Sequence, residues 1–179
     1  MTIAQEVTTR AWRMLIGGEW VEASDRAQME VMNPAHGDVI SKVPLGSAED
    51  VGRAAEAAKA AFPGWWNMGT QERAARIRKL GQLIRERAED LAWLDAANGS
   101  NPLKAMRAGV ARSAGRCDGV ASLVLEVKGM TVNASTPNNL HYMVREPFGV
   151  AGVIMPFNHP FAFALDIAGP LVVGNTVVL

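Results

Sequence analysis

Apolar residues recur at the spacing of amphipathic helices through the middle of the chain and predict three helices there. Ser47 stands three residues before Asp50, as in a capping box, at the head of an alanine-rich run that Pro63-Gly64 should end. Thr70 is the candidate cap of a second long helix, which Asn98-Gly99 should close by a positive φ. The inward face predicted for this second helix consists of Ile77, Leu80, Ile84, Ala88 and Leu91.

A third helix is predicted to begin at Pro102, because the fixed φ of proline suits the first turn of a helix. Gly109, Gly115 and Gly119 each weaken an isolated helix by about 1 kcal/mol. We therefore expect this helix to depend on close packing against the rest of the fold rather than on helix propensity. Arg and Lys residues between Arg73 and Arg87, interleaved with Glu, predict a solvated face of the second helix.

Short apolar groups on both sides of the helices predict paired strands. Residues 15–20 read L-I-G-G-E-W, which is typical of a hairpin turning at Gly17-Gly18. Met29–Pro44 has turn residues between two apolar groups and predicts a second hairpin. Thr131-Val132 and Tyr142–Val144 flank a polar stretch and predict a third.

The apolar stretch from Val150 to Leu179 is long enough to be tested as a membrane span, which needs roughly 20 apolar residues. Polar residues and a proline interrupt it, and a bilayer could not satisfy them: Asn158, His159, Asp166, Pro170 and Asn175. Two nearly continuous apolar runs at its ends favour a buried strand–helix–strand unit of a parallel sheet instead. The fold class predicted for the whole chain is therefore α/β.

The composition narrows the class of partner. Apolar residues make up 49% of the chain, and 18 basic residues balance 18 acidic ones. A net charge of zero argues against binding to nucleic acid or to an anionic membrane, and it favours a small uncharged ligand. The one cysteine, Cys117, cannot form an internal disulfide, and the N-terminus does not resemble a secretion signal, so we expect a cytoplasmic protein. With one cysteine and no partner pattern at His36 or His141, no metal site is expected.

The candidate chemistry lies at the carboxyl end of the first strand of this unit. Met155–Pro160 reads M-P-F-N-H-P, so that Asn158 stands between two prolines that stiffen the turn. Open α/β sheets bind ligands at this edge, and an asparagine amide fixed there could donate to an oxyanion. The alternative is that Asn158 caps the helix that begins near Pro160, a role that asparagine often has for structural reasons alone.

Several separated motifs resemble the aldehyde dehydrogenase superfamily. P-F-N-H-P at 156–160 and G-P-L-V-V-G-N-T-V-V at 169–178 match the family signature near its first nucleotide-binding strand, and R-E-P-F-G-V-A-G-V-I at 145–154 precedes it. The resemblance implies residues 1–128 as N-terminal strands and helices of a cofactor-binding domain. It further implies 129–148 as the hairpin of an oligomerisation arm and 149–179 as the first strand–helix–strand of a Rossmann-type sheet.

The same resemblance implies the reaction. Family members oxidise aldehydes with NAD or NADP through a cysteine thiolate, and Asn158 would hold the oxygen of the resulting thiohemiacetal. His159 would lie at the substrate mouth. The residues that match the family's cofactor-lining strand end are Ile154, Met155, Pro156 and Phe157. The complete protein would be a homo-oligomer.

The family's nucleophilic cysteine, its general-base glutamate and its second glycine-rich turn lie far downstream of the asparagine. We therefore expect this sequence to correspond to roughly the N-terminal third of a subunit, without the catalytic domain, and Cys117 to be a structural residue. Two hypotheses remain open. A complete version oxidises aldehydes, or the chain as it stands is a non-catalytic truncation that acts only in subunit association.

Overall fold

A computed structural model describes residues 10–159, 161 and 165–179. The helix expected near Pro160, and with it the capping alternative for Asn158, lies outside the described residues. In chain order the strands are β1 (Met14–Ile16), β2 (Glu19–Val21), β3 (Gln28–Met32), β4 (Val39–Pro44), β5 (Met130–Val132), β6 (His141–Met143), β7 (Val150–Gly152) and β8 (Thr176–Val178). The α-helices are α1 (Ala48–Asn67), α2 (Thr70–Glu86), α3 (Ala88–Gly99), α4 (Leu103–Leu123) and α5 (Ala168–Val172). Single 3-10 turns occupy Val124–Glu126 and Leu165–Ile167.

The strands form four two-stranded sheets, three antiparallel and one parallel. All three predicted hairpins are confirmed, as β1–β2, β3–β4 and β5–β6. Gly17 and Gly18 have φ values of 62° and 88°, as the tight turn requires. β7 pairs in parallel with β8, with Val150 opposite Thr176, so the predicted strand–helix–strand unit is also confirmed.

Helix α1 begins as predicted, because Ser47 and Asp50 form a reciprocal capping box. The prediction that Pro63-Gly64 ends it is wrong, since the helix continues to Asn67. An interior proline costs a helix about 3 kcal/mol. Tertiary contacts of the following turn offset that cost: Trp65 Nε1 donates to the carbonyl of Leu171 at 2.8 Å.

The predicted second helix is in fact two helices, α2 and α3, which break at Arg87 with a φ of −116°. Its apolar period continues unbroken through this point, so no local signal marks the break. The turn lets α3 lie along α4, where Glu89 Oε2 accepts a hydrogen bond from Arg107 Nε at 2.9 Å. Two details of the caps also differ from prediction. Gly69, not Thr70, is the N-cap of α2, and the positive φ after α3 is at Ser100 rather than at Asn98-Gly99.

The core lies between α2, α3, α4 and α5. The expectation that α4 depends on close packing is confirmed, since one face of this helix, from Met106 through Val110 to Ala121, is buried. Gly115 and Gly119 take no part in that packing, because an added Cβ at either would meet nothing within 4 Å. The close approach is at Gly81 of α2, where a Cβ would lie 3.0 Å from both the Ala114 carbonyl oxygen and the Cys117 Cβ. Cys117 is fully buried there, as expected of a structural cysteine.

Arg73 contradicts the predicted solvated face, because it is only 2% exposed. Its Nε donates to the Val172 carbonyl at 3.1 Å and its Nη1 to the Trp66 carbonyl at 2.8 Å, so it binds the C-terminal ends of α5 and α1 together. Those ends carry partial negative charge, which stabilises a buried cation. The guanidinium also lies 4.9 Å from the Trp66 ring centroid. Burial lowers the pKa of Arg73 from its ordinary value.

Among the described helices, none combines the length and the apolar composition that crossing a bilayer requires.

Replacing Arg73 by methionine should destabilise the fold by about 2–4 kcal/mol, because buried carbonyls at two helix ends lose a charged donor. Arg73→Lys should destabilise the fold less than Arg73→Met but still measurably, since an ammonium keeps the charge but cannot reproduce the planar fork of the guanidinium. Arg76→Met is the matched control, because Arg76 is exposed on the same helix and its contacts, an ion pair with Glu72 and a hydrogen bond to Met68 Sδ, lie at the surface. Urea unfolding measures all three, and equal losses for Arg73→Met and Arg76→Met would contradict this role.

Asp50 should make stability depend on acid pH. The backbone N–H of Ser47, above all, lowers the pKa of this carboxyl from 3.8 to about 2, against the opposing effect of burial, and the N–H of Ser24 adds to the lowering. A depressed folded pKa adds stability above pH 3.8 that is lost as pH falls towards 2. The gap in unfolding free energy between wild type and Asp50→Asn should therefore be constant from pH 7 to 5 and should narrow below 4. A gap that stays constant down to pH 2.5 would contradict the assignment.

Candidate functional site

The candidate site is the segment that follows β7, here called the site loop (Val153–His159). Val153 continues the parallel pairing, since its N–H donates to the Val178 carbonyl at 2.8 Å. The carboxyl ends of β7 and β8 therefore lie at one edge of the pair, and the site loop leaves from that edge. This is where open α/β sheets bind ligands.

Two hydrogen bonds hold β7 and β8 in place, one to α1 and one between the entries of the two strands. Thr176 Oγ1 donates to the Ala58 carbonyl at 2.8 Å, across the sheet–helix boundary. Asn175 Oδ1 accepts from the Gly149 N–H at 3.1 Å, which joins the entry of β7 to the entry of β8. Thr176 and Asn175 are both buried. Side chains within residues 169–178 thus tie the two strands from which the site loop starts to the helical core.

The predicted site residues are consecutive, and the structure presents several of them at the surface. Ile154 is 98% exposed and Phe157 is 92% exposed, which is unusual for large apolar side chains. Asn158 and Pro156 are also exposed, while Met155 and His159 are half-buried. The site loop therefore offers an apolar strip and a polar amide on the same edge of the parallel pair.

The site loop is tied to the α3–α4 corner through the backbone of Asn158. Asn101 Nδ2 donates to the Asn158 carbonyl oxygen at 3.0 Å. This contact engages the main chain and does not involve the Asn158 side-chain amide. Asn101 was not among the site residues predicted from the sequence, although it lies within the run A-A-N-G-S-N-P-L at 96–103, where α4 begins.

A second contact forms on the far side of Asn158. Asp95 Oδ1 accepts from the Phe161 N–H at 3.3 Å, and Asp95 is only 5% exposed. Burial raises the pKa of the Asp95 carboxyl, while the hydrogen bond from the Phe161 N–H and the electrostatic interaction with His159 oppose that rise. An acid within the otherwise apolar run of α3 was the sequence signal that could have revealed it.

An apolar cavity of about 360 Å³ lies beside these groups, between the β3–β4 hairpin and α3. Leu91, Leu94 and Phe161 form part of its wall, and Asp95 is one of its polar members. A larger cleft of about 450 Å³ lies against Arg10, Arg26 and Lys42 and includes no residue of the site loop. We therefore place the candidate chemistry at the site loop rather than at the larger cleft.

The one cysteine of the chain is not placed to act as a nucleophile. Cys117 is fully buried in the helical core. Burial raises the pKa of its thiol, and the neighbouring Asp118 raises it further, so little thiolate forms at neutral pH. In the part of the chain that the structure describes, no group of three His, Cys, Asp or Glu residues is arranged to hold a metal ion.

Known proteins share this arrangement over nearly the whole chain. The aldehyde dehydrogenase family model matches residues 20–179. The aldehyde dehydrogenase tropH of Talaromyces stipitatus is 36% identical over 165 residues, which cover 90% of this chain and 32% of that protein. Glutarate-semialdehyde dehydrogenase of Pseudomonas putida is 34% identical over 165 residues, or 92% of this chain and 34% of the relative.

A solved structure gives the same result for the fold. Betaine aldehyde dehydrogenase of Staphylococcus aureus, crystallised with NAD+, superposes with a TM-score of 0.92 at 28% identity and covers 98% of this chain but 35% of its own. The chain thus spans about a third of the length of the relatives it matches. From the family match, the relatives and the fold together, this chain belongs to the aldehyde dehydrogenase family.

Proposed function

We propose that the protein to which this chain belongs oxidises an aldehyde to a carboxylic acid with NAD or NADP, and that Asn158 donates its side-chain amide to the aldehyde oxygen. The observation that supports this most is the exposed Asn158 at the strand edge, with its backbone carbonyl fixed by Asn101. A donor fixed before the reaction costs no reorganisation when negative charge develops on the oxygen.

The site loop also suits a dinucleotide. Ile154 and Phe157 expose almost their whole side chains, and an apolar strip at the edge of two parallel strands can lie against the flat faces of a nucleotide. Met155 and Pro156 complete the strip that we assign to cofactor binding. When bound, NAD or NADP supplies the acceptor for hydride from the aldehyde carbon. Relatives crystallised with NAD+ support this choice of cofactor class.

The nucleophile would come from outside these 179 residues, because Cys117 is the one cysteine in the sequence and is buried with a raised pKa. Attack of a thiolate on the carbonyl carbon converts the carbonyl oxygen into an oxyanion. Within this chain, Asn158 Nδ2 would donate to that oxygen. His159 is half-buried next to Asn158, and we assign it to the mouth through which a small aldehyde enters.

The β5–β6 hairpin supports assembly into a homo-oligomer. Its large apolar side chains are exposed: Met130, Val132, Leu140, Tyr142, Met143 and Val144. A two-stranded ribbon with such a surface is stable only when another surface covers it. We assign residues 129–148 to an oligomerisation arm, residues 1–128 and 149–179 to the cofactor-binding domain, and the protein to the cytoplasm, where a lone buried thiol stays reduced.

Replacing Asn158 by alanine in the complete subunit should lower kcat by about a hundredfold to a thousandfold, because one oxyanion donor is lost. The KM for the cofactor should change little, since the amide is not assigned to cofactor binding. Steady-state production of NADH or NADPH measures both. Asn139→Ala is the matched control, because Asn139 is exposed in the β5–β6 loop and bonds to Thr136. Unchanged turnover of Asn158→Ala would contradict the assigned role.

The 179-residue chain alone should not reduce NAD or NADP with any aldehyde, because its cysteine is buried. The test mixes the purified chain with each cofactor and a panel of aliphatic and aromatic aldehydes, and follows absorbance of the reduced cofactor. If reduced cofactor does appear, the same assay with Cys117→Ser shows whether Cys117 is responsible for it. Activity that disappears in this variant would overturn the assignment of Cys117 as structural.

A further inference from the structure

The α3–α4 corner presents a side chain to the site loop from a constrained position. Asn101 precedes Pro102, which restricts the backbone of the preceding residue to extended conformations. Pro102 in turn is the N-cap of α4, and its carbonyl accepts from the Ala105 N–H at 2.8 Å. Asn101 is half-buried, so its amide has few alternative positions. It donates across 57 residues of sequence to the carbonyl of Asn158.

Gly99 provides the space for this contact. A Cβ built on Gly99 would lie 2.8 Å from Asn101 Nδ2 and 3.8 Å from the Asn158 carbonyl oxygen. The first distance is too short for a contact between a Cβ and a nitrogen that is not bonded to it, so a methyl group there would displace the Asn101 amide. Gly99 does not have a positive φ, and its backbone would therefore accept alanine. Glycine at position 99 therefore provides space for the Asn101–Asn158 contact, and the conformation of its own backbone does not require it.

The corner is fixed from the opposite side as well. Ser100 adopts the left-handed conformation, with a φ of 53°, which turns the chain between the two helices. Its Oγ donates to Asn33 Oδ1 at 3.3 Å, in the turn of the β3–β4 hairpin. Beyond Asn158, Asp95 accepts from the Phe161 N–H. Asn101 and Asp95 therefore hold the main chain on the C-terminal side of the Asn158 side chain, while the hydrogen bond from the Val153 N–H to Val178 holds it on the N-terminal side.

We propose that Asn101 is a positioning residue for Asn158: its amide, in the space left by Gly99, fixes the Asn158 carbonyl and so aims the Asn158 side chain at the reacting oxygen. This inference rests on the proposed function. A donor stabilises an oxyanion only within hydrogen-bond distance, and misplacement by about 1 Å can cost a hundredfold in rate. Asn101 acts through Asn158 and does not itself touch substrate.

The test uses the complete subunit. Asn101→Ala should lower kcat by roughly tenfold to a hundredfold, with little change in the KM for the cofactor. Asn101→Asp, which has the same size but places an acceptor against the carbonyl, should lower kcat at least as much. If Asn101 only filled space, the aspartate variant would retain wild-type kcat, and that result would overturn the proposal.

Gly99→Ala separates positioning from stability. Alanine favours a helix more than glycine does, so this variant should unfold no more easily than wild type. It should nevertheless lower kcat as Asn101→Ala does, because the amide is displaced. Gly115→Ala is the matched control, since an added Cβ there meets nothing within 4 Å. Wild-type kcat in Gly99→Ala would contradict the proposal.

A double-mutant cycle tests whether Asn101 acts through Asn158. Adding Asn101→Ala to Asn158→Ala should lower kcat no further, because there is no longer a donor to aim. A loss in the double variant equal to the product of the two single losses would show an independent structural effect and overturn the proposal.

Hydrogen exchange separates failure of this inference from failure of the proposed function. The Phe161 N–H, which donates to Asp95 just beyond Asn158, should exchange faster in Asn101→Ala and Gly99→Ala than in wild type or Gly115→Ala, whatever reaction the protein catalyses. Absence of aldehyde oxidation in the wild type would reject the proposed function alone. Unchanged exchange in both variants would reject the positioning role alone.

Discussion

The arrangement of the helices depends on the hydrogen bonds of one buried guanidinium, that of Arg73, for which no carboxylate partner is described. Arg73 donates to carbonyls that end α1 and α5, while Trp65 donates to the last turn of α5 from the other side. Desolvating a cation is costly, and the aligned dipoles of two helix ends with the Trp66 ring offset much of that cost. Because α5 leads directly into β8, the position of the second parallel strand follows from these contacts.

The position of the site loop follows from this arrangement of helices through a short series of contacts. Thr176 ties β8 to α1, Asn175 ties it to the entry of β7, and the parallel pairing places both carboxyl ends at one edge. The site loop leaves from that edge and is bound a second time at the α3–α4 corner. A loop fixed at both ends by separate parts of the core can present a side chain without using that side chain for its own support. In the proposed reaction, the Asn158 amide is then available to bind the substrate oxygen.

Local pattern predicted a large part of this structure. The capping box at Ser47, the three hairpins and the parallel strand pair each depend on residues close together in sequence, and each is confirmed. The errors share one cause. The chain continues α-helical through Pro63 and breaks at Arg87 because contacts with distant segments outweigh local propensity. The close contact between α2 and α4 at Gly81 likewise depends on packing between distant segments.

The sequence by itself determined the α/β order of elements, the family resemblance and the place of Asn158 at a strand end, because turns, caps and apolar periods are short-range properties. Only the tertiary structure decided that Arg73 is buried, that Asp95 binds the Phe161 N–H beyond the site loop and that Asn101 binds the Asn158 carbonyl. These contacts join residues 99, 66 and 57 positions apart. No local pattern encodes which distant carbonyl or N–H a side chain will reach, since that depends on how the packed helices bring the segments together.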